Sequence, residues 1–163
     1  MSDEAKLRDE IAQLLRGTST FRLFEHIVAD FPAEAMNQRP PNVPYTPWAL
    51  LEHIRVGQWD ILEYIRNRQH VSPTWPDEFW PPPTQQADPA MWQRSMARYQ
   101  SDRAALEAIL ADPNVDLTAP LPHAPDRSIM RELRLVAGHT AFHLGEFAVL
   151  RQVMQTWPAD HKL

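Results

Sequence analysis

Two histidines stand four residues apart in the run Gly138-His139-Thr140-Ala141-Phe142-His143-Leu144-Gly145-Glu146. On an α-helix this spacing separates them by about one turn, roughly 6 Å along the axis, and points both imidazoles the same way. Neutral imidazoles are ligands for Zn²⁺, Ni²⁺, Cu²⁺ or Fe²⁺, and three protein ligands with further positions left for water make a catalytic rather than a closed structural site. Such a site lowers the pKa of a coordinated water towards about 7, or deprotonates a coordinated external thiol. The pair alone is a weak signal, because seven histidines scattered over 163 positions give about 0.3 such pairs by chance. It is not the motif of a zincin protease, since no Glu follows His139 to act as general base.

The element that carries the pair follows from proline. All 16 prolines fall outside four windows, 4–31, 48–71, 90–112 and 126–157. An interior proline costs a helix about 3 kcal/mol, so long windows that exclude it are helix candidates. In the first, Leu7, Ile11, Leu14, Leu15, Phe21, Phe24, Ile27 and Val28 recur at near-helical spacing. Gly17-Thr18-Ser19-Thr20 interrupts it with weak helix formers, leaving one bent helix or two, and a single helix with a kink possible is the one expected. Residues 32–46 form a proline-rich loop. The second helix starts on Thr46 as cap and Pro47 in the first turn, and its stripe of Leu50, His53/Ile54, Gly57, Ile61 and Tyr64/Ile65 places a third histidine on or beside the buried face.

Residues 70–88 form a second long loop with Trp75, Phe79 and Trp80, expected either to pack on the bundle as a flap or to wall a pocket. Asp88-Pro89 repeats the cap-and-proline start for the third helix, whose stripe is Met91, Trp92, Met96, Tyr99, Leu106, Ile109 and Leu110; Asp112-Pro113 ends it. The fourth helix can be capped by Asp126 or Ser128, runs through Leu133, Val136, His139/Thr140, His143, Phe147, Leu150 and Met154, and closes at Trp157-Pro158. No strand-like alternation is read anywhere. Residues 1–163 are therefore expected to form one all-α domain, a four-helix bundle with long proline-rich connections. The periodicity leaves the topology open between up-down-up-down and crossover forms.

Composition narrows the partners. With no cysteine there can be no disulfide, no Cys-based metal site and no thiol nucleophile of the chain's own, so any metal falls to His, Asp or Glu. A net charge of −5 without a Lys/Arg block argues against nucleic acid. No apolar run reaches the roughly 18 residues of a membrane span and the first residues lack a signal-like segment, so a cytoplasmic protein is expected.

His53, His139 and His143 thus sit on core-facing sides of two helices, and bundle cores build metal sites from such a pair plus a ligand on a neighbouring helix. The alternative is a metal-free bundle with hydrogen-bonded core histidines. Glu146, three residues after His143, and Glu52, beside His53, can orient an imidazole or lie solvated on the surface. Asp60 can be a pocket group or a partner of Arg66 or Arg68, and His26 can line the cavity. Trp48, Trp59 and Trp92 read as core, and His70, His123 and His161 as surface.

Trp48-Ala49-Leu50-Leu51-Glu52-His53-Ile54 together with His139-Thr140-Ala141-Phe142-His143-Leu144-Gly145-Glu146 resembles the DinB/YfiT-like superfamily of metal-dependent proteins, across essentially the whole chain in helix order and spacing. Thr46-Pro47-Trp48, Gln58-Trp59-Asp60-Ile61-Leu62 and the segment from Trp75-Pro76 to Phe79-Trp80-Pro81 resemble a bacterial branch of it without a settled function. The resemblance implies a crossover four-helix bundle, a homodimer, and a divalent metal, typically nickel or zinc, on His53, His139 and His143. It also implies a small-molecule substrate, with a low-molecular-weight thiol as cofactor where chemistry is known in the family. The function expected is a metal-dependent hydrolase or thiol S-transferase; the alternative is a non-catalytic dimeric binding module whose metal is structural or vestigial.

Overall fold

The computed structural model describes residues 2–17 and 24–159. The expectations that involve Thr18, Ser19, Thr20, Phe21 and His161 lie outside them. Five helices, α1 (Asp3–Arg16), α2 (Phe24–Val28), α3 (Pro47–Arg66), α4 (Pro89–Ala111) and α5 (Ile129–Met154), make the fold all-α. The caps are those the residue types dictate. Thr46 Oγ1 accepts the Ala49 N–H, Asp88 Oδ1 the Met91 N–H and Ser128 Oγ the Arg131 N–H, each satisfying a first-turn donor that no helical carbonyl can reach.

The first window is corrected: among the described residues it holds two helices, α1 and α2, rather than one. Gly17, with φ of 94°, ends α1 while its N–H still bonds to the Gln13 carbonyl, a conformation that only glycine adopts without strain. A second correction concerns strands. Pro120–Leu121 (β1) and Ala124–Ser128 (β2) pair antiparallel just before α5. Three prolines in that stretch obscure any alternation, and the pairing is short enough to escape a periodicity argument.

The helix directions can be read from contacts. Glu52 with Ser95 and Gln58 with the Tyr99 carbonyl advance together along α3 and α4, so those two helices run parallel. His53 with His143 and Gly57 with His139 run in opposite senses, so α3 and α5 are antiparallel. Arg16 with Glu107 and Arg8 with the Leu110 carbonyl likewise make α1 antiparallel to α4. The order is therefore up-down-down-up, with α3 packed against α4 and α5, and α1 closing the bundle against the same two helices. Parallel neighbours cannot be joined by a short turn, which accounts for the long connection over residues 67–88. The bundle is thus of the crossover kind.

The core divides into two clusters. Trp48, Leu50, Leu51, Ile54, Trp92, Tyr99, Leu144, Phe147 and Leu150, with Phe24, Ile27 and Val28 of α2, fill one end. Ile11, Leu15, Ile61, Leu62, Leu106, Leu110, Leu133 and Val136 fill the other. Each large side chain buried in this way contributes about 1.5–3 kcal/mol. Between them lies a polar layer in which Gln58 Nε2 donates to the Tyr99 carbonyl at 2.7 Å and the three histidines face one another. At the far end Arg151, only 1% exposed, donates to the Ile27, Ala29 and Thr156 carbonyls and lies over the Trp157 ring, which binds the end of α5 to α2.

Candidate metal centre

α3 delivers His53 and α5 delivers His139 and His143 to the polar layer. Because α3 and α5 run antiparallel, His53 and Gly57, one turn apart on α3, meet His143 and His139, one turn apart on α5. His53 Nε2 lies 3.1 Å from His143 Nε2 and 3.2 Å from His139 Nε2, and all three ligand nitrogens fall within 4.8 Å of one another. All three residues singled out in the sequence are brought together.

The outer nitrogens decide the proton positions. His53 Nδ1 is 3.1 Å from the Phe79 carbonyl and His143 Nδ1 is 2.6 Å from Glu146 Oε2. An acceptor oxygen requires the proton on each Nδ1, which in the neutral ring leaves each Nε2 as a lone pair. Two lone pairs facing each other at 3.1 Å cannot hydrogen-bond, and the contact is favourable when a cation sits between them. With metal–nitrogen bonds of about 2.1 Å, neighbouring nitrogens stand about 3.0 Å apart at octahedral angles and about 3.4 Å apart at tetrahedral ones, and the two separations from His53 lie between these limits. The donor set fits a divalent ion.

Electrostatics agree with neutral ligands. Burial pushes the His139 imidazole down to about 3, with His143 and His53 adding to the shift, and burial also holds His53 below its ordinary value. His139 packs its ring against the bare Cα of Gly57; a Cβ built there would stand 2.8 Å from His139 Cε1. Gly57 therefore makes room for a ligand, a role its place in the α3 stripe did not reveal.

Around the histidines an aromatic and acidic surround closes into a ring. Trp80 lies flat on His53, with centroids 4.0 Å apart and planes at 3°, and Tyr45 stacks on Trp80 at 5.4 Å. The Tyr45 phenol is raised by burial and by the charge and hydrogen bond of Glu146, which in turn holds His143. Of the carboxylates considered from sequence, Glu146 thus supports a ligand. Glu52 does not; it pairs with Arg55 at 2.8 Å and accepts from Ser95.

Several other expectations are corrected. Asp60 partners neither Arg66 nor Arg68: its Oδ1 is 2.7 Å from His70 Nε2, and His70 is half-buried rather than on the surface, with Trp59 edge-on against it. Trp59, on α3, is accordingly half-buried, whereas Trp48 and Trp92 are core. His123 packs on Tyr64 with both ring nitrogens buried, and His26 is exposed and does not line the cavity. In the 70–88 loop, Phe79 is buried and Trp80 covers His53, while Trp75 stays 67% exposed. The loop is both a flap and a wall of the centre. What the sequence lacked was the register between the loop and α3, because tertiary contacts alone set it.

No helix among the described residues is long and apolar enough to cross a membrane. No curated protein and no solved structure gives a match to the chain. The family model for the DinB superfamily matches residues 16–147, which span α2 to most of α5 and include all three histidines. The chain belongs to the DinB superfamily.

Proposed function

We propose that this protein is a divalent-metal-dependent enzyme, a hydrolase or a low-molecular-weight-thiol S-transferase, with nickel or zinc held by His53, His139 and His143. The observation that carries the reading is the convergence of three imidazoles, with His53 Nε2 3.1 Å from His143 Nε2 and 3.2 Å from His139 Nε2 while the outer nitrogens of His53 and His143 face the Phe79 carbonyl and Glu146. Bound there, the ion supplies Lewis acidity, polarising a substrate oxygen or lowering the pKa of a water or thiol. The chain's own residues do the rest. Phe79 and Glu146 fix the two tautomers, Gly57 admits the His139 ring, and Trp80 shields the His53 face from water. Because the chain has no cysteine, any thiol nucleophile comes from a small molecule.

Elemental analysis of the purified protein tests the reading. One ion per chain is expected in the wild type, with marked loss in His53→Ala, His139→Ala and His143→Ala. Absence of stoichiometric metal, with the same content in all three variants, overturns it. Displacement spectroscopy on cobalt-loaded protein then separates the chemistries, since a thiol that leaves the spectrum unchanged removes the transferase.

The second reading is a dimeric binding module with a structural metal, and one surface bears on the dimer. The exposed residues of α5 from Leu135 to Val153, namely Leu135, Gly138, Ala141, Phe142, Gly145, Val149, Gln152 and Val153, carry no charge, and four of them are large and apolar. An uncharged stripe of this length suits a self-complementary two-fold contact, so a homodimer across α5 accompanies either reading. Sedimentation of Leu135→Glu/Val149→Glu tests it: a wild-type dimer turned monomer is expected, and a monomeric wild type overturns the contact.

A further inference from the structure

A cleft of about 460 Å³ lies between the two proline-rich connections, lined by residues 39–49 on one side and 80–85 on the other. Its volume lies within the roughly 300–1,000 Å³ of small-molecule sites. Tyr45, Trp48 and Trp80 give it flat aromatic walls, stiffened by Pro81 and its neighbours. No carboxylate lines it, although the chain carries a net charge of −5. Its one cation is Arg39, which is exposed and makes no ion pair or side-chain hydrogen bond among the described residues. An apolar slot with one unpaired guanidinium and no acid selects a flat organic anion, because the guanidinium offers a carboxylate two parallel N–H donors while the rings take up the apolar body.

Two of the walls are also walls of the metal centre. Trp80 lies on His53, and Tyr45 meets Glu146, the partner of His143. A molecule seated against Tyr45 and Trp80 therefore presses on the supports of two ligands at once, and by linkage its affinity and that of the metal must change by the same factor.

The geometry points to this cleft as a binding site for a small aromatic carboxylate, coupled through Tyr45 and Trp80 to the metal centre; the coupling rests on the metal reading above, whereas the anion site stands without it. Calorimetric titration of the full chain, metal-free and zinc-loaded, with 2-naphthoate, neutral 2-naphthalenemethanol and acetate tests it. On metal-free protein, naphthoate is expected to saturate one site and to bind about tenfold more tightly than the neutral analogue, the equivalent of one charge-assisted contact, with acetate weaker still. Arg39→Gln should erase the advantage of naphthoate over the alcohol without changing metal content. Naphthoate that binds no better than the alcohol, or binds Arg39→Gln as well as wild type, overturns the site. A naphthoate affinity equal in metal-free and zinc-loaded protein overturns the coupling. A chain that takes up no stoichiometric zinc sinks the metal reading and the coupling together, and the metal-free titration still decides the anion site.

Discussion

Replacing Gly57 by alanine perturbs the metal centre through a single carbon. The new Cβ would stand 2.8 Å from His139 Cε1, 3.3 Å from Nδ1 and 3.4 Å from Nε2. Non-bonded carbons settle at about 3.5–4.0 Å, so the ring must retreat by roughly 1 Å. Metal sites tolerate displacements of only about 0.2 Å, so one of three ligands is lost or misaimed. The helix itself gains about 0.8–1 kcal/mol from alanine, and an imidazole can swing away at little cost, so the fold is expected to survive with its helicity unchanged. Metal affinity, measured by competition with a chromophoric chelator, should fall at least by the roughly 10- to 100-fold that follows loss of a ligand's supporting partner. Gly138→Ala and Gly145→Ala are the controls, because a Cβ at either position meets nothing within 4 Å. Wild-type affinity in Gly57→Ala, or an equal loss in Gly138→Ala, would refute the placement of His139 as a ligand packed on α3.

Glu146→Gln should keep an acceptor near His143 but weaken it, lowering metal affinity about tenfold with little change in melting temperature; unchanged affinity would leave Glu146 a bystander. Burial alone would raise the Glu25 carboxyl, but hydrogen bonds from Arg103, its own backbone N–H and Gln100, with the Arg103 charge, leave it below 4.5. The unfolded chain then binds more protons just below pH 4.5, so the pair's stabilisation is complete above that pH and is lost as the pH falls through the folded value. Melting curves between pH 2.5 and 6 should show a shallower acid decline in Glu25→Gln than in wild type. Arg151→Met leaves the Ile27, Ala29 and Thr156 carbonyls without their donor, and denaturant unfolding should register a loss of about 3 kcal/mol.

The sequence by itself determined α3, α4 and α5 and singled out the three histidines. Proline exclusion and the cap residues Thr46, Asp88 and Ser128 are local physics, since an N-cap and the proline beside it act within one turn, so α3, α4 and α5 start where the residues say. An i, i+4 pair is likewise guaranteed to share a face once its helix forms. The sequence did not determine the break at Gly17, where a kink and a stop read alike, nor the short strands before α5. Only the tertiary structure decided that α3 and α4 run parallel, and that choice places the connecting loop across the centre, so that the Phe79 carbonyl meets His53 Nδ1 and Trp80 lies on its ring. The antiparallel register of α3 on α5 in turn set Gly57 beneath His139, and the fold-back of the 67–88 connection on α3 sent Asp60 to His70 instead of to an arginine. Periodicity fixes which face of a helix is buried, but the neighbour that meets each residue depends on the packing of distant segments, and the support of a metal site is made of those neighbours.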